Sequence, residues 1–511
     1  MVKNFNIQDW KSFLPLPISE EFSGFETLYS KAWELAYQHV KYIDGMPQNP
    51  YMDEAFCDTL VWIWDTCFMT LFCKYAQEVF PGVETFQNFY YVLHEGGHLP
   101  EVIPTEKEPQ WTKNIPGVPT TIRIQHVDNP PLFAWAEYEN ALIHGDKDYL
   151  KELLYQRKVL QKHYDWFENL TSNSITPDWG AFTSLQKEKW GYKWRGTPSG
   201  MDNTPRGRIN SPTEVGCPDN PNMLWLDAIC QQALSAKNIA DLFHILGDEV
   251  QEKEWNEKYL KKKNIVNELY WDKEDKFYYD IDCNDKHFYK VQTIASYWPL
   301  TAEIASPEQA YIMAEYLRDD KLFGGEVPLV SLARNDKDFV NNGCYWRGSV
   351  WLPCAYATLK GLTKYGFHEI ARELAIKLVS HMWKTYNTYE PHTIWECYAP
   401  NDAKPATYSD DICLVRPDFC GWSALGPISI YIEYVLGFHT INAFEKVVEW
   451  SKPVNSKNKI GIKNLRFADI VTDIVAHENV CTVKSNAPYT LKINGNDYLI
   501  TPGENRIYFK D

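Results

Sequence analysis

Three carboxylates stand in unusually aromatic company: Asp65 in Trp62-Ile-Trp64-Asp65, Asp202 in Ser199-Gly-Met-Asp202-Asn203-Thr-Pro-Arg206, and Glu396 in Ile394-Trp395-Glu396-Cys-Tyr398. Cleavage of a glycosidic bond uses two carboxyl groups, one protonated to help the leaving oxygen depart and the other ionised as base or nucleophile. Apolar surroundings raise a carboxyl pKa and suit the acid role. A third carboxylate can hold ring hydroxyls. Each also has a plainer reading: an Asp before a helix often serves as its N-cap, and Glu396 can be half of a buried ion pair with an arginine.

Further segments combine aromatics with polar side chains in the same way. They are Gln125-His-Val-Asp-Asn129-Pro-Pro131, Ser296-Tyr297-Trp298-Pro299, Asn341-Asn-Gly-Cys-Tyr345-Trp346-Arg347-Gly348-Ser-Val-Trp351 and Arg416-Pro-Asp418-Phe-Cys-Gly421-Trp422. The 511 residues include 20 Trp, 32 Tyr and 24 Phe, an aromatic share of 15% that calls for flat, rigid, amphipathic surfaces. Such faces stack on the C–H faces of sugar rings while Asp, Asn, Gln and Arg satisfy the hydroxyls. A small carbohydrate is the expected partner.

Residues scattered from 62 to 422 share one site only if the chain brings their loops together. Apolar residues repeat at helical spacing through most of the first 440 residues, and the pattern predicts helices over 22–44, 64–80, 83–95, 131–145, 148–170, 223–246, 249–270, 293–304, 307–318, 349–364, 367–387 and 422–437. Taken in pairs these make six hairpins, with long links before the even helices and short ones after them. An all-α (α/α)6 toroid, its even helices forming the inner ring, explains that alternation, and nearly every aromatic cluster then lies just before an inner helix, at one mouth. An open α-solenoid is the alternative, but the segments lack a constant repeat. After residue 452 the pattern alternates instead, with Asn494-Gly495 between two alternating runs as a hairpin signal. The expected division is therefore a catalytic domain over 1–452 and a small β-structured domain over 453–511.

Composition excludes other classes. Lys and Arg total 51 against 68 Asp and Glu, a net charge of -17 that repels nucleic acid on average. No stretch approaches the ~20 apolar residues of a membrane span, and the N-terminus resembles no secretory signal, so no membrane partner is expected. The 12 cysteines include no C-x-x-C and lie mostly in apolar segments, as buried thiols of a reducing cytoplasm do. No cofactor and no metal are expected: Asp280-Ile-Asp282 and Ser409-Asp-Asp411 read as solvated loop carboxylates, and His94 with His98 lack the further ligands of a zinc site.

With these residues in place the sequence resembles the clan of inverting (α/α)6-barrel α-glycosidases: glycoside hydrolase family 63, its mannosylglycerate hydrolase-like branch, and trehalases. Tyr345-Trp-Arg-Gly-Ser-Val-Trp351 is similar to the family element YWRGPVW, with Ser349 where Pro is usual. The segment ending in Asp202 resembles the one that holds the general acid, and Trp395-Glu396-Cys-Tyr398 the one that supplies the general base. Trp64-Asp65 matches the loop that binds the glycone sugar, and Gly421-Trp422-Ser the element that closes the pocket. The resemblance implies single displacement by Asp202 and Glu396 on an α-linked glucoside. It implies substrate contacts from Trp62, Trp64, Asp65, Gln125, Asn129, Asn203, Arg206, Trp346, Arg347, Trp351, Trp395, Tyr398 and Trp422. The alternatives are a mannosylglycerate or glucosylglycerate hydrolase, with Arg206, Arg208 or Arg416 receiving the carboxylate, a trehalase, or a sugar epimerase or isomerase on the same toroid using histidines such as His126 and His392.

Overall fold

The computed structural model describes residues 9–43, 46–55, 60–93, 97–99, 102–104, 130–170, 186–194, 196–208, 220–453 and 457–509. Helical structure stands at each of the twelve expected segments. The helices are α1 (Phe25–Gln38), α2 (Ile63–Cys73), α3 (Phe86–Tyr91), α4 (Phe133–His144), α5 (Val159–Glu168) and α6 (Leu226–Leu246). They continue as α7 (Glu249–Leu269), α8 (Trp298–Thr301), α9 (Pro307–Tyr316), α10 (Leu352–Lys364), α11 (His368–Thr388) and the π-wound α12 (Gly426–Val435).

Adjacent helices bury very different shares of their surface. All residues of α2 and of α12 are buried. In α7 only Trp255, Tyr259, Lys262 and Val266 are buried, a single stripe at spacings of four, three and four, and the other faces are charged and solvated. The first kind can exist only between other elements, the second only on an outer surface. The packing agrees: α2 contacts α4, α4 contacts α6, α6 contacts α8, α8 contacts α10, α10 contacts α12, and α12 returns to α2. Around this cycle α5 and α7 lie against α6, α11 against α10 and α12, and α1 against α11 and α12.

The expected helix over 148–170 is interrupted. A short helix at Lys147–Lys151 runs into a π-turn at Glu152–Arg157, and Lys158 stands at φ 54° before α5 begins. Leu153, Leu154, Val159 and Leu160 are all buried, and the extra residue keeps both apolar pairs on one face.

Strands follow α12, paired antiparallel except for Val447–Trp450, which runs parallel to Tyr489–Ile493. One five-stranded sheet has the order Leu16–Ser19, Ile460–Phe467, Ile470–His477, Val480–Ser485 and Gly503–Tyr508, so the N-terminal segment supplies one edge. A four-stranded sheet pairs Thr440–Asn442, Val447–Trp450, Tyr489–Ile493 and Asn496–Ile500, the last two joined at Asn494 and Gly495, both at positive φ as a type I′ hairpin needs. This β layer is tied to the C-terminal end of α4, where Ala443 N–H donates to Leu142 O at 2.7 Å and Ala468 N–H to Ile143 O at 2.8 Å. The N-terminal end of α4 therefore faces away from it. Among the described residues every cysteine is a free thiol and no helix is long and apolar enough to cross a membrane.

Candidate active site

The carboxylates meet where α2, α10 and α12 begin. Asp65 is in the first turn of α2, Trp351 immediately precedes α10, and Trp422 opens the short 3₁₀ turn that leads into α12. The loops are fitted to one another by specific contacts. Gly200 lies flat on the Trp64 indole, and with φ at +80° and a hypothetical Cβ 3.1 Å from that ring, no other residue suits the position. Asn203 Nδ2 donates to Cys344 O at 2.9 Å and its Oδ1 accepts the N–H of Trp346 at 2.8 Å. Expected to contact substrate, Asn203 instead joins the Asp202 loop to the Tyr345–Trp351 loop, with its amide used at both ends.

That second loop carries backbone strain. Cys344 and Tyr345 have φ of 41° and 63°, a left-handed pair of non-glycine residues that costs on the order of 1–3 kcal/mol each. Thr407 holds them there, its Oγ1 accepting the Cys344 N–H at 3.2 Å and its carbonyl the Tyr345 N–H at 2.8 Å. The strained turn aims the Tyr345 hydroxyl at Glu396, to which it donates at 3.0 Å on Oε1. Behind it Trp346 and Trp351 stack at 4.1 Å between centroids, 3° from parallel, and Trp422 lies 5.6 Å from Trp351.

Glu396 is fully buried, yet well supplied with donors. Besides Tyr345 on Oε1, Oε2 accepts the Tyr408 hydroxyl at 2.9 Å and the Arg416 N–H at 3.2 Å, with the Arg416 guanidinium at 3.9 Å. Its carbonyl accepts the Trp422 indole N–H at 2.7 Å and the Ser423 hydroxyl at 3.0 Å, so backbone and side chain are both anchored. Burial pushes its carboxyl above the ordinary range while Arg416, Tyr408 and Tyr345 pull it back. Asp202 differs: burial and then the charge of Glu396 push it up to about 7, with only its own backbone N–H opposing. Burial also raises Asp65 well above the usual carboxylate range; Glu396 and Asp202 add to that and Arg416 opposes it.

Other expected contacts fall elsewhere. Arg206 is almost wholly buried and its guanidinium is saturated: it pairs with Asp227 at 2.7 and 2.9 Å and with Asp280 at 2.6 and 2.9 Å, and its remaining N–H points at Met201 Sδ. It ties the Asp202 loop to the start of α6. Arg208 is held by Asp336 and Asp338, and Arg347 donates to Asp338 O at 3.1 Å with part of its side chain exposed. Tyr398 is buried with its hydroxyl accepting the Trp395 N–H at 3.2 Å, which shapes the Glu396 loop from inside. Trp395 is buried against Tyr389, whereas Trp62 is partly open. Gln125 and Asn129 lie outside the described residues. Arg416, read from the sequence as a possible receiver of a carboxylate, instead lies against Glu396, and Tyr408, which also holds Glu396, escaped the sequence as a site residue because nothing local to Thr-Tyr408-Ser-Asp distinguishes it from any loop. Among the described residues one group, Asp282, Asp285 and His287, gathers three ligands of the metal-binding type, but Asp282 already accepts the Asn284 N–H and the Tyr289 hydroxyl.

Comparison with known proteins bears on this arrangement. A family model described as the mannosylglycerate hydrolase MGH1-like glycoside hydrolase domain matches residues 61–411. An uncharacterised protein of Borreliella burgdorferi is 26% identical over 418 residues, covering 81% of this chain and 78% of that protein. The mannosyl-oligosaccharide glucosidase of Saccharomyces cerevisiae is 25% identical over a stretch that covers 53% of this chain but only 34% of the yeast protein. Among solved structures, a GH63 mannosylglycerate hydrolase from Thermus thermophilus in complex with glucose superposes with a TM-score of 0.58 at 17% identity, over 79% of this chain and 99% of that one. That likeness concerns the fold.

Proposed function

Because the chain belongs to the mannosylglycerate hydrolase MGH1-like glycoside hydrolase family, we propose that it is an inverting enzyme built on an (α/α)6 toroid, with residues 1–452 as the catalytic unit and 453–511 as a β appendage. Asp202 is the general acid and Glu396 the general base. The observation that carries this is the contrast between the two carboxyls. Asp202 is pushed up to about 7 and faces a negative neighbour, the condition for an acid that still holds its proton at neutral pH. Glu396 has three hydrogen-bond donors and a nearby guanidinium, the condition for an ionised base despite burial.

In the reaction Asp202 gives its proton to the glycosidic oxygen while Glu396 takes one from a water attacking the anomeric carbon from the opposite face, through an oxocarbenium-like state. Asp65, with Trp62 and Trp64, receives the glycone, and Trp346, Trp351 and Trp422 back the pocket. The substrate is an α-linked glucoside, a di- or oligosaccharide, met in a reducing cytoplasm. A neutral leaving group suits this site better than a glycerate, because Arg206 and Arg208, two of the arginines that could receive a carboxylate, are already engaged by aspartates.

The test is an NMR time course over a panel of α-linked disaccharides and glycosylglycerates. First release of the β-anomer from a glucoside is expected, and first release of the retained anomer rejects the mechanism. The rate should fall as pH rises through about 7, where Asp202 loses its proton, and Asp202→Asn should lose that alkaline limb along with most of its activity.

A further inference from the structure

One buried carboxyl beside this site has no part in the mechanism above. Glu54 is completely buried, just ahead of the segment that carries Trp62, Trp64 and Asp65. Its Oε1 accepts the N–H of Trp62 at 3.3 Å, the residue from which α2 starts. Its backbone carbonyl accepts the N–H of Gly421 at 3.0 Å. A Cβ on Gly421 would stand 2.9 Å from that carbonyl and 2.4 Å from the Phe419 ring, so the approach requires glycine. Gly421 precedes Trp422, whose indole holds the carbonyl of Glu396. A single residue thus joins the glycone loop to the loop that anchors the base.

The charges around Glu54 are all of one sign. Asp53 precedes it in the chain, with His39 Nδ1 lying 3.6 Å from Asp53 Oδ1 on the far side, and Asp65 is its other acidic neighbour. The Cys420 thiol, donating to Asp53 O at 3.8 Å, packs there as well. Glu54 Oε2 and Asp65 Oδ1 are both buried without a hydrogen-bond partner among the described residues. The two carboxyls are nevertheless unequal. Each has two acidic neighbours, Asp53 and Asp65 for Glu54 and Glu396 and Asp202 for Asp65, but Asp65 has the Arg416 guanidinium within electrostatic reach while Glu54 has one long N–H bond. That difference favours a proton on Glu54 over one on Asp65.

We propose that Glu54 is a positioning residue for the glycone site: as a neutral carboxylic acid it fixes Trp62 and Gly421 in place and leaves Asp65 ionised to accept sugar hydroxyls. This rests on the glycosidase reading of the site. Burial first, and then the charges of Asp53 and Asp65, raise the Glu54 carboxyl well above the usual carboxylate range, in agreement.

The test compares Glu54→Gln, which copies a neutral acid, with Glu54→Leu, which removes the acceptor that Glu54 offers the Trp62 N–H. Glu54→Gln is expected to keep kcat/KM within about threefold of wild type, with an unchanged pH profile. Glu54→Leu should lose about thirtyfold, mostly in KM, the size expected for the loss of one buried hydrogen bond and a misplaced acceptor. A Glu54→Gln variant as damaged as Glu54→Leu overturns the proposal, since an ionised carboxylate would then be what the site needs; so does a Glu54→Leu variant with wild-type kinetics. Independently of any substrate, the infrared difference spectrum between wild type and Glu54→Gln at neutral pH should show the band of a protonated carboxyl, and its absence also overturns the proposal. Failure of the glycosidase reading shows up elsewhere, as no hydrolysis of any glycoside in the panel by the wild type, and failure of the acid assignment as normal hydrolysis by Asp202→Asn; both leave the infrared band untouched.

Discussion

The cyclic helices place buried charge at both of their ends, with opposite consequences. Toward the C-terminal ends, Lys74 after α2 and Lys360 in α10 alternate with Glu139 in α4 and Glu433 in α12. Lys360 lies 2.8 Å from Glu139 and 3.6 Å from Glu433, and Lys74 lies 3.3 and 3.1 Å from the same two. The Tyr75 and Tyr356 hydroxyls donate to Glu433 at 2.8 and 2.9 Å. Two cations face two anions there. At the N-terminal ends Glu54, Asp65, Asp202 and Glu396 crowd together with the Arg416 guanidinium near two of them.

Balance decides what each end can do. Burial pushes the Glu139 carboxyl up, but the ammonium groups of Lys360 and Lys74 outweigh it and hold it down at about 2. Such a group stays ionised at any ordinary pH and cannot exchange protons usefully, so the network fastens four helices together. At the mouth the deficit of positive charge keeps Asp202 near 7 and leaves carboxyl oxygens without partners among the described residues. That cost agrees with the use proposed for these groups.

The largest effect that separates the two ends is on turnover. Asp202→Asn and Glu396→Gln should each lower kcat by about a thousandfold or more, the scale of an acid or base removed from its transition state. Their melting temperatures should stay at or above that of the wild type, because Glu396→Gln removes a negative charge from a crowded site and Asp202→Asn replaces a carboxyl that still holds its proton with a neutral amide of the same shape. A fall in stability without a fall in rate would erase the distinction.

Lys360→Met should do the reverse. It leaves Glu139 and Glu433 short of a cation and costs about 3–5 kcal/mol in denaturant titration, while kcat/KM of the folded variant is nearly unchanged. The pH dependence sharpens this. Because the Glu139 carboxyl is held at about 2 against an ordinary 4.5, its contribution is complete above 4.5 and is lost as pH falls toward 2. Stability measured down that range should fall less steeply in Lys360→Met than in the wild type.

The smallest change is Tyr408→Phe. It removes a hydroxyl that holds Glu396 down, so the base protonates at a higher pH; the acid limb of the rate profile should move upward and the neutral-pH rate fall by about tenfold. No movement of that limb would mean that Tyr408 does not tune the base.

Much of this molecule is legible in its residues. Helical periodicity located the segments that carry α1 to α12, because a helix buried on every side and one buried along a stripe leave different apolar patterns in the chain. Asn494-Gly495 marked its hairpin, because only such residues adopt two successive positive φ values cheaply. The carboxylates stood out by their aromatic neighbours.

Partnership was decided by the tertiary structure. Arg206 and Asn203 look from the sequence like groups that meet a substrate. Asp280 reaches Arg206 from 74 positions away and Cys344 reaches Asn203 from 141, and in the fold both side chains join one loop to another. Tyr408 and Glu54 carry no local sign of their roles; they acquire them when the cycle of helices closes and sets the Glu396 loop and the start of α2 beside them. The sequence by itself determined which residues could be acid, base or platform, since that follows from side-chain chemistry. Which of them were left with unbalanced charge, and so able to react, depended on which partners the closed packing brought within hydrogen-bond reach.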